Sequence, residues 1–155
     1  MTTTLTAATL TVELKETIEL NDMDQGSTNT LTIGSVNEVF KRIVTVTTTE
    51  AEVLAFGAAA ASGTLVVADV KYIRLTNLDD TNHIVLTFKC SGNHEFAVKL
   101  DKGQSFIYNG DLSGGVASTM DASASALSLS LADLVNITAD ADTASCDMEI
   151  FVAST

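Results

Sequence analysis

The sequence predicts an all-β fold, an antiparallel β-sandwich of jelly-roll type with little or no helix. Three observations carry that prediction. Apolar and polar residues alternate with period two along many short segments, the spacing that sends side chains to opposite faces of a strand. Turn-forming residues recur about every 8–12 residues. The 155-residue chain uses Thr and Ser heavily, contains no Pro and no Trp and is 46% hydrophobic, a mix whose β-branched bias suits strands.

The clearest run is Lys71–Tyr108, which reads as four strands joined by polar turns. Ile73 and Leu75 alternate with Tyr72, Arg74 and Thr76. Ile84, Leu86 and Phe88 alternate with Val85, Thr87 and Lys89. Phe96, Val98 and Leu100 alternate with Glu95, Ala97 and Lys99, and Gln104–Tyr108 is the short fourth strand. Residues 78–82, 91–93 and 101–103 separate them. A meander of this kind hides its apolar face only against a second sheet, which the flanking sequence must supply.

From the N-terminus, Thr9–Lys15 places Leu10, Val12 and Leu14 on one face, and Ile18 and Leu20 continue a second short strand. Asn21–Gly26 is a turn, and Leu31 and Ile33 mark another alternating run. Val36–Thr47 reads as one long strand, bent or bulged, with either Val39 and Ile43 or Phe40, Val44 and Val46 inside. Glu50–Phe56 is open between a strand and a helical turn. Phe56–Gly63, with four alanines, is too short to sustain a helix and reads as a loop, and Leu65–Val67 is a short apolar strand. Strands are again expected at Leu127–Leu131, Val135–Ala139 and Met148–Val152. The expected core is Leu10, Val12, Leu14, Ile73, Leu75, Ile84, Leu86, Phe88, Phe96, Val98, Val135, Ile137, Ile150 and Val152.

The length fits a single domain with a sizeable core. A flexible segment is expected over about residues 1–8, and a long Gly/Ser/Ala/Asp-rich loop over about 109–125. Neither stretch has enough apolar surface to order itself. The opening MTTTLTAATL has no basic region and no continuous apolar core, so neither a secretory signal nor a membrane span is expected.

Formal net charge is −12, and residues 111–155 hold seven Asp and Glu with no Lys or Arg. Such a surface repels phosphate, which argues against nucleic-acid binding and docking on anionic membrane. Positive charge is concentrated in the first two-thirds of the chain, including the doublet Lys41-Arg42. Solvated strand faces explain it; an acidic C-terminal part meeting a neighbour's basic face is the sharper reading.

Motifs for chemistry are weak. His83 and His94, with Glu95 and Asp101, lack the HxH pattern of jelly-roll metal sites and read as turn histidines. Asp22-Met23-Asp24 opens like a calcium loop, but no acid completes it at the twelfth position. Asp140, Asp142 and Asp147 form a second acidic cluster, better explained by turn formation. No GxSxG elbow and no glycine-rich phosphate loop is present, so no catalytic residue, metal or cofactor is assigned. Cys90 and Cys146 form no CxxC, and two such thiols in a protein made in the cytosol are usually reduced; their separation in space decides whether they pair.

The phrases MTTTLTAATLTVELKETIELN, KYIRLTNLDDTNHIVLTFK, EFAVKLDKGQSFIYNGDLSGG and ITADADTASCDMEIFVAST together resemble small virion structural proteins of tailed, cyanophage-like bacteriophages. The resemblance covers most of the chain and carries no catalytic motif. It implies a non-enzymatic β-rich subunit of the virion, made in the host cytoplasm. The first assignment is a capsid decoration or cement protein contacting copies of itself and a major capsid protein. The alternative is a tail, fibre or head–tail component with a carbohydrate-binding role, which the absence of Trp weakens. On this reading the interface elements are Met1, Thr2, Thr3, Thr4 and Leu5 together with Asp111, Leu112, Ser113, Gly114 and Gly115, laid across a neighbour.

Overall fold

A computed structural model of the chain describes residues 4–92, 94–109, 112 and 131–155. Among these residues there are strands and no helix. In chain order the strands are β1 (Ala8–Lys15), β2 (Glu19–Leu20), β3 (Met23–Asp24), β4 (Thr28–Val36), β5 (Glu38–Val46), β6 (Ala51–Gly57), β7 (Thr64–Val66), β8 (Val70–Asn77), β9 (Ile84–Cys90), β10 (His94–Leu100), β11 (Ser105–Asn109), β12 (Leu134–Ala141) and β13 (Cys146–Ser154).

Two sheets face each other, one in the order β11-β8-β13-β5 and the other in the order β10-β9-β12-β6-β7. Strand β5 pairs with β13, β6 with β12, β8 with β11 and β9 with β10, all antiparallel. The chain from β5 onward is thus a long ribbon that pairs its first strand with its last and works inward. The ribbon rolls up because β13 also pairs with β8, and β12 with β9. This is the jelly-roll arrangement that the sequence predicts. Strand β7 is an addition, parallel to β6 at the sheet edge.

The inner faces carry the alternating apolar residues. Ile73, Leu75, Met148 and Ile150 from one sheet meet Ile84, Leu86, Phe88 and Ile137 from the other, all fully buried. Phe88 links the layers: its ring stacks on Phe96 at 4.6 Å and tilts against Phe106 of the opposite sheet at 5.1 Å. Aromatic pairs at these separations add to the burial of their area.

A second layer lies outside the four-stranded sheet. Strands β1 and β4 form a separate antiparallel ribbon that lays Leu10, Val12, Leu31 and Ile33 against Tyr72, Phe151 and Ala153. Tyr72 meets Phe151 edge to face at 6.0 Å. The ribbon then leaves the sandwich. It narrows at Gly26, where a Cβ would lie 2.3 Å from the Glu16 carbonyl oxygen. It ends in the β2–β3 hairpin, turned by Asn21 and Asp22 with φ of 52° and 61°. Two successive positive φ values define the type I′ hairpin turn, which Asn and Asp tolerate best after Gly. Met23 and Asp24 are therefore strand residues and not part of the turn.

Several other expectations change. The Val36–Thr47 run breaks at Asn37 between β4 and β5, and β5 turns Phe40, Val44 and Val46 toward the core while Val39 and Ile43 are exposed. Leu14, expected in the core, is 51% exposed because the ribbon carries it past the edge of the sheet beneath. Val135 is 43% exposed: a bulge between Leu134 and Asn136 turns both Leu134 and Ile137 inward and leaves Val135 outside. Glu50–Phe56 resolves as strand β6. Of the expected strand at Leu127–Leu131 only Leu131 is described, outside any strand and 61% exposed, and most of the 109–125 loop lies outside the described residues.

One buried polar residue organises the turns. Asn77, fully buried at the end of β8, donates from Nδ2 to the carbonyls of Asn82 (2.9 Å) and Leu100 (3.3 Å). Its Oδ1 accepts from the Asp79 N–H at 3.0 Å, and its backbone N–H donates to the Gln104 carbonyl at 3.0 Å. The β8–β9 and β10–β11 connections are thereby tied together.

Replacing Phe88 by Ala is expected to cost about 3–5 kcal/mol in urea unfolding, from lost burial plus a cavity. Ile43→Ala, on the exposed face of β5, should change stability by less than about 0.5 kcal/mol. Asn77→Ala leaves buried backbone groups unpaired and should cost about 1–3 kcal/mol by the same measurement.

Candidate functional site

Of the residues singled out for chemistry, His83, Asp101, Asp142 and Asp147 gather at one end of the sandwich while Asp22 and Asp24 lie on the ribbon hairpin, and several of them are held by local hydrogen bonds. His83 lies at the end of the 78–83 turn with Nδ1 3.5 Å from Asp142. Asp79 closes that turn by accepting from the N–H groups of Thr81 (2.8 Å) and Asn82, and these bonds hold its carboxyl below the ordinary 3.8. Asp101 accepts from the Lys102 N–H at 3.0 Å, which lowers its carboxyl too. Asp24 accepts from the Gly26 N–H at 2.8 Å, and Asp147 from the Thr45 hydroxyl at 2.8 Å. No group of three or more His, Cys, Asp or Glu able to hold a metal ion occurs among the described residues.

Cys90 and Cys146 are both buried. Cys90 lies opposite Leu134 at one end of β9, whereas Ile84 at the other end pairs with Ala141. Ala141 donates to the Thr47 carbonyl, one residue beyond Val46, which pairs with Cys146. The two thiols are thus separated by about 20 Å, six residues of strand, and cannot bond within one chain. Burial pushes the Cys146 thiol above its ordinary 9.0.

Several charged groups are committed to one another. Glu149 is shared by Arg74 and Lys41, the latter at 3.3 Å, and the hydrogen bond from Arg74 holds its carboxyl below the ordinary 4.5. Lys89 binds Glu50 at 2.6 Å and Lys99 approaches Asp101 at 3.6 Å. Lys71 donates to the Ala68 carbonyl at 2.6 Å. Arg42 has no ion pair among the described residues; its guanidinium sits 5.9 Å over the Phe40 ring.

Exposed apolar side chains are scattered over the described residues, and two groups of them share a strand or hairpin. At the ribbon end, Ile18, Leu20 and Met23 are 54%, 61% and 63% exposed. Along β5, an edge strand that among the described residues is hydrogen-bonded on one side only, Val39 and Ile43 are 56% and 61% exposed. The other face of β5 borders an open cleft of about 220 Å³ between the sheets, with Phe40, Val53 and Leu65 inside and Glu38 and Arg42 among its lining residues. A shallower cleft of about 340 Å³ runs between the β1 ribbon and Tyr72, Arg74 and Ile107.

These surfaces differ from the interface expected from sequence. Of those residues, Thr4 and Leu5 precede β1 and are exposed, Leu5 by 69%. Leu112 is fully buried in the core, so it is not an interface residue: its apolar side chain fills the sandwich next to β12, and its carbonyl accepts from the Leu134 N–H at 3.3 Å. Met1, Thr2, Thr3, Asp111, Ser113, Gly114 and Gly115 lie outside the described residues. The sequence signal for β5 was the Lys41-Arg42 doublet between Val39 and Ile43; that β5 is an edge strand was not readable there.

No family model matches this chain, and no curated protein matches it. Among solved structures it is similar to one described as "Bacillus endospore appendages form a novel family of disulfide-linked pili", with a TM-score of 0.46 and 9% identity over 100% of this chain and 96% of that chain. Similarity at that level leaves function to be argued from the residues described above.

Glu149 gives a testable pH dependence. Its carboxyl is lowered in the folded state, so its contribution is present above 4.5 and is lost as the pH falls through the lower folded value. Glu149→Gln is expected to cost about 1 kcal/mol at neutral pH, as for an ion pair still open to water. Urea unfolding of the variant should also show a smaller loss of stability below pH 4.5 than the wild type, the rest of the loss coming from carboxyls such as Asp79 and Asp101.

Proposed function

We infer that the protein is a non-enzymatic structural subunit of a tailed-phage virion that works by assembly with copies of itself and a larger shell protein. The observation that carries this reading is the pair of exposed apolar surfaces, at the ribbon end and along the β5 edge, set on a sandwich whose own core is complete. An unpaired strand edge flanked by Val39 and Ile43 is a template for another chain, and apolar patches of this kind mark interaction sites. The sequence resemblance to virion proteins of this type supports the same reading, with a capsid decoration or cement subunit ahead of a tail or fibre component. The sugar-binding variant of the second assignment is disfavoured by the two tyrosines, since Tyr72 is buried beneath the ribbon and Tyr108 is half-buried.

The experiment is antibody labelling of purified particles, with label over the head supporting a decoration subunit and label on the tail supporting the alternative. Absence from particles overturns the virion assignment. A companion prediction concerns the N-terminal segment. Deleting Met1–Ala7, which stops short of the Ala8–Val36 pair, should leave the melting temperature unchanged and lower incorporation into particles. Equal incorporation of the truncated and full chains would remove that segment from the interface.

A further inference from the structure

We propose that the end of the β2–β3 hairpin of one copy docks along the β5 edge of a second copy, in a head-to-tail contact that extends the four-stranded sheet. The contact rests on the self-assembling subunit reading above and specifies its partner, surface and polarity.

The two surfaces match in three respects. Both are open strand edges among the described residues: there β2 and β3 pair only with each other, and β5 only with β13. Both are two-faced in the same sense. Leu20 and Met23 are cross-strand partners and so share one face of the hairpin, while Glu19 and Asp24, also partners, share the other. On β5, Val39 and Ile43 lie on the outer face, and Arg42 lies on the face bordering the open cleft. Laid edge to edge, the hairpin continues the outer apolar face with Leu20 and Met23 and brings Glu19 and Asp24 to Arg42.

Charge is the third match. The ribbon from Glu13 to Asp24 holds Glu13, Glu16, Glu19, Asp22 and Asp24 against Lys15 alone, whereas β5 holds Lys41 and Arg42 against Glu38. In a chain of net charge −12, β5 is an unusual net-positive edge. Like-charged surfaces elsewhere on the molecule repel, which selects this pairing over others. Because the two surfaces differ and sit on separate parts of the molecule, the contact is heterologous and propagates into a ring or filament.

The test is sedimentation velocity of the purified full chain across a concentration series. Wild type should form concentration-dependent oligomers. A hairpin variant, Leu20→Asp with Met23→Asp, and an edge variant, Val39→Asp with Ile43→Asp, should each be monomeric with unchanged melting temperature. Mixed in equal amounts they should form a dimer and nothing larger, since one intact hairpin and one intact edge remain. Arg42→Glu should weaken association roughly tenfold, and adding Glu19→Lys to the same chain should restore most of it. Monomeric wild type, oligomers that survive either double variant, or a mixture that gives no dimer overturns the proposal. Particle incorporation of the same variants separates the two levels: variants that fail the mixing test yet still incorporate leave the virion-subunit reading standing, whereas absence of wild type from particles removes that reading.

Discussion

Phe88 sits where the two sheets meet, stacked on Phe96 within its own sheet and against Phe106 of the other. The rest of the fold depends on that shared layer. A sheet with one apolar face is unstable alone, and burying the two inner faces against each other is the main favourable term. The roll-up follows: pairing the first strand with the last brings Val44 and Met148 into register, and the second pairing of β13 with β8 seats Ile150 beside Leu75. Asn77 is tolerated in this apolar layer because its side-chain amide is used on both atoms, and in return it fixes two turns.

The outer face of the four-stranded sheet is governed by a weaker version of the same effect. The β1–β4 ribbon covers Tyr72 and Ala153 but leaves Val39 and Ile43 open. Among the described residues, nothing buries Leu20 or Met23 of its hairpin, which are 61% and 63% exposed. A chain that invests residues in a projecting two-stranded ribbon with apolar side chains at its end loses solvent exposure only when something else covers them. That is why the surface, and not any constellation of titratable groups, carries the functional argument.

Electrostatics sharpen this picture. With 8 basic and 20 acidic residues the molecule repels itself broadly. Several of its cations are held by internal partners, Arg74 and Lys41 on Glu149 and Lys89 on Glu50. These pairs stitch neighbouring strands: Lys41–Glu149 joins β5 to β13, and Arg74–Glu149 joins β13 to β8. Arg42, stacked near Phe40 at the mouth of the cleft, remains available to an acidic partner.

Strand positions were legible in the sequence wherever one face of a strand is buried and the other is not, because that asymmetry writes period two directly into residue type. Ile84, Leu86 and Phe88 are the plainest case, and all three are fully buried. The roll-up, by contrast, was expected only as a class, because pairing Val46 with Cys146 or Leu54 with Ile137 joins residues distant in sequence and leaves no local trace. Val135 and Leu14 were misplaced for related reasons: a bulge shifts the inside–outside phase by one residue, and a ribbon that outruns its sheet exposes a face that still alternates. Leu112 lay in a polar, small-residue stretch that reads as loop, yet the sandwich had room for its side chain. The sequence by itself determined the all-β class, the central strands and the excess of negative charge, all of which are local or summed properties. Only the tertiary structure decided that β5 is an edge, that Val39 and Ile43 are open while Phe40 is inside, and that the acidic hairpin projects, because exposure depends on which distant strand is, or is not, alongside.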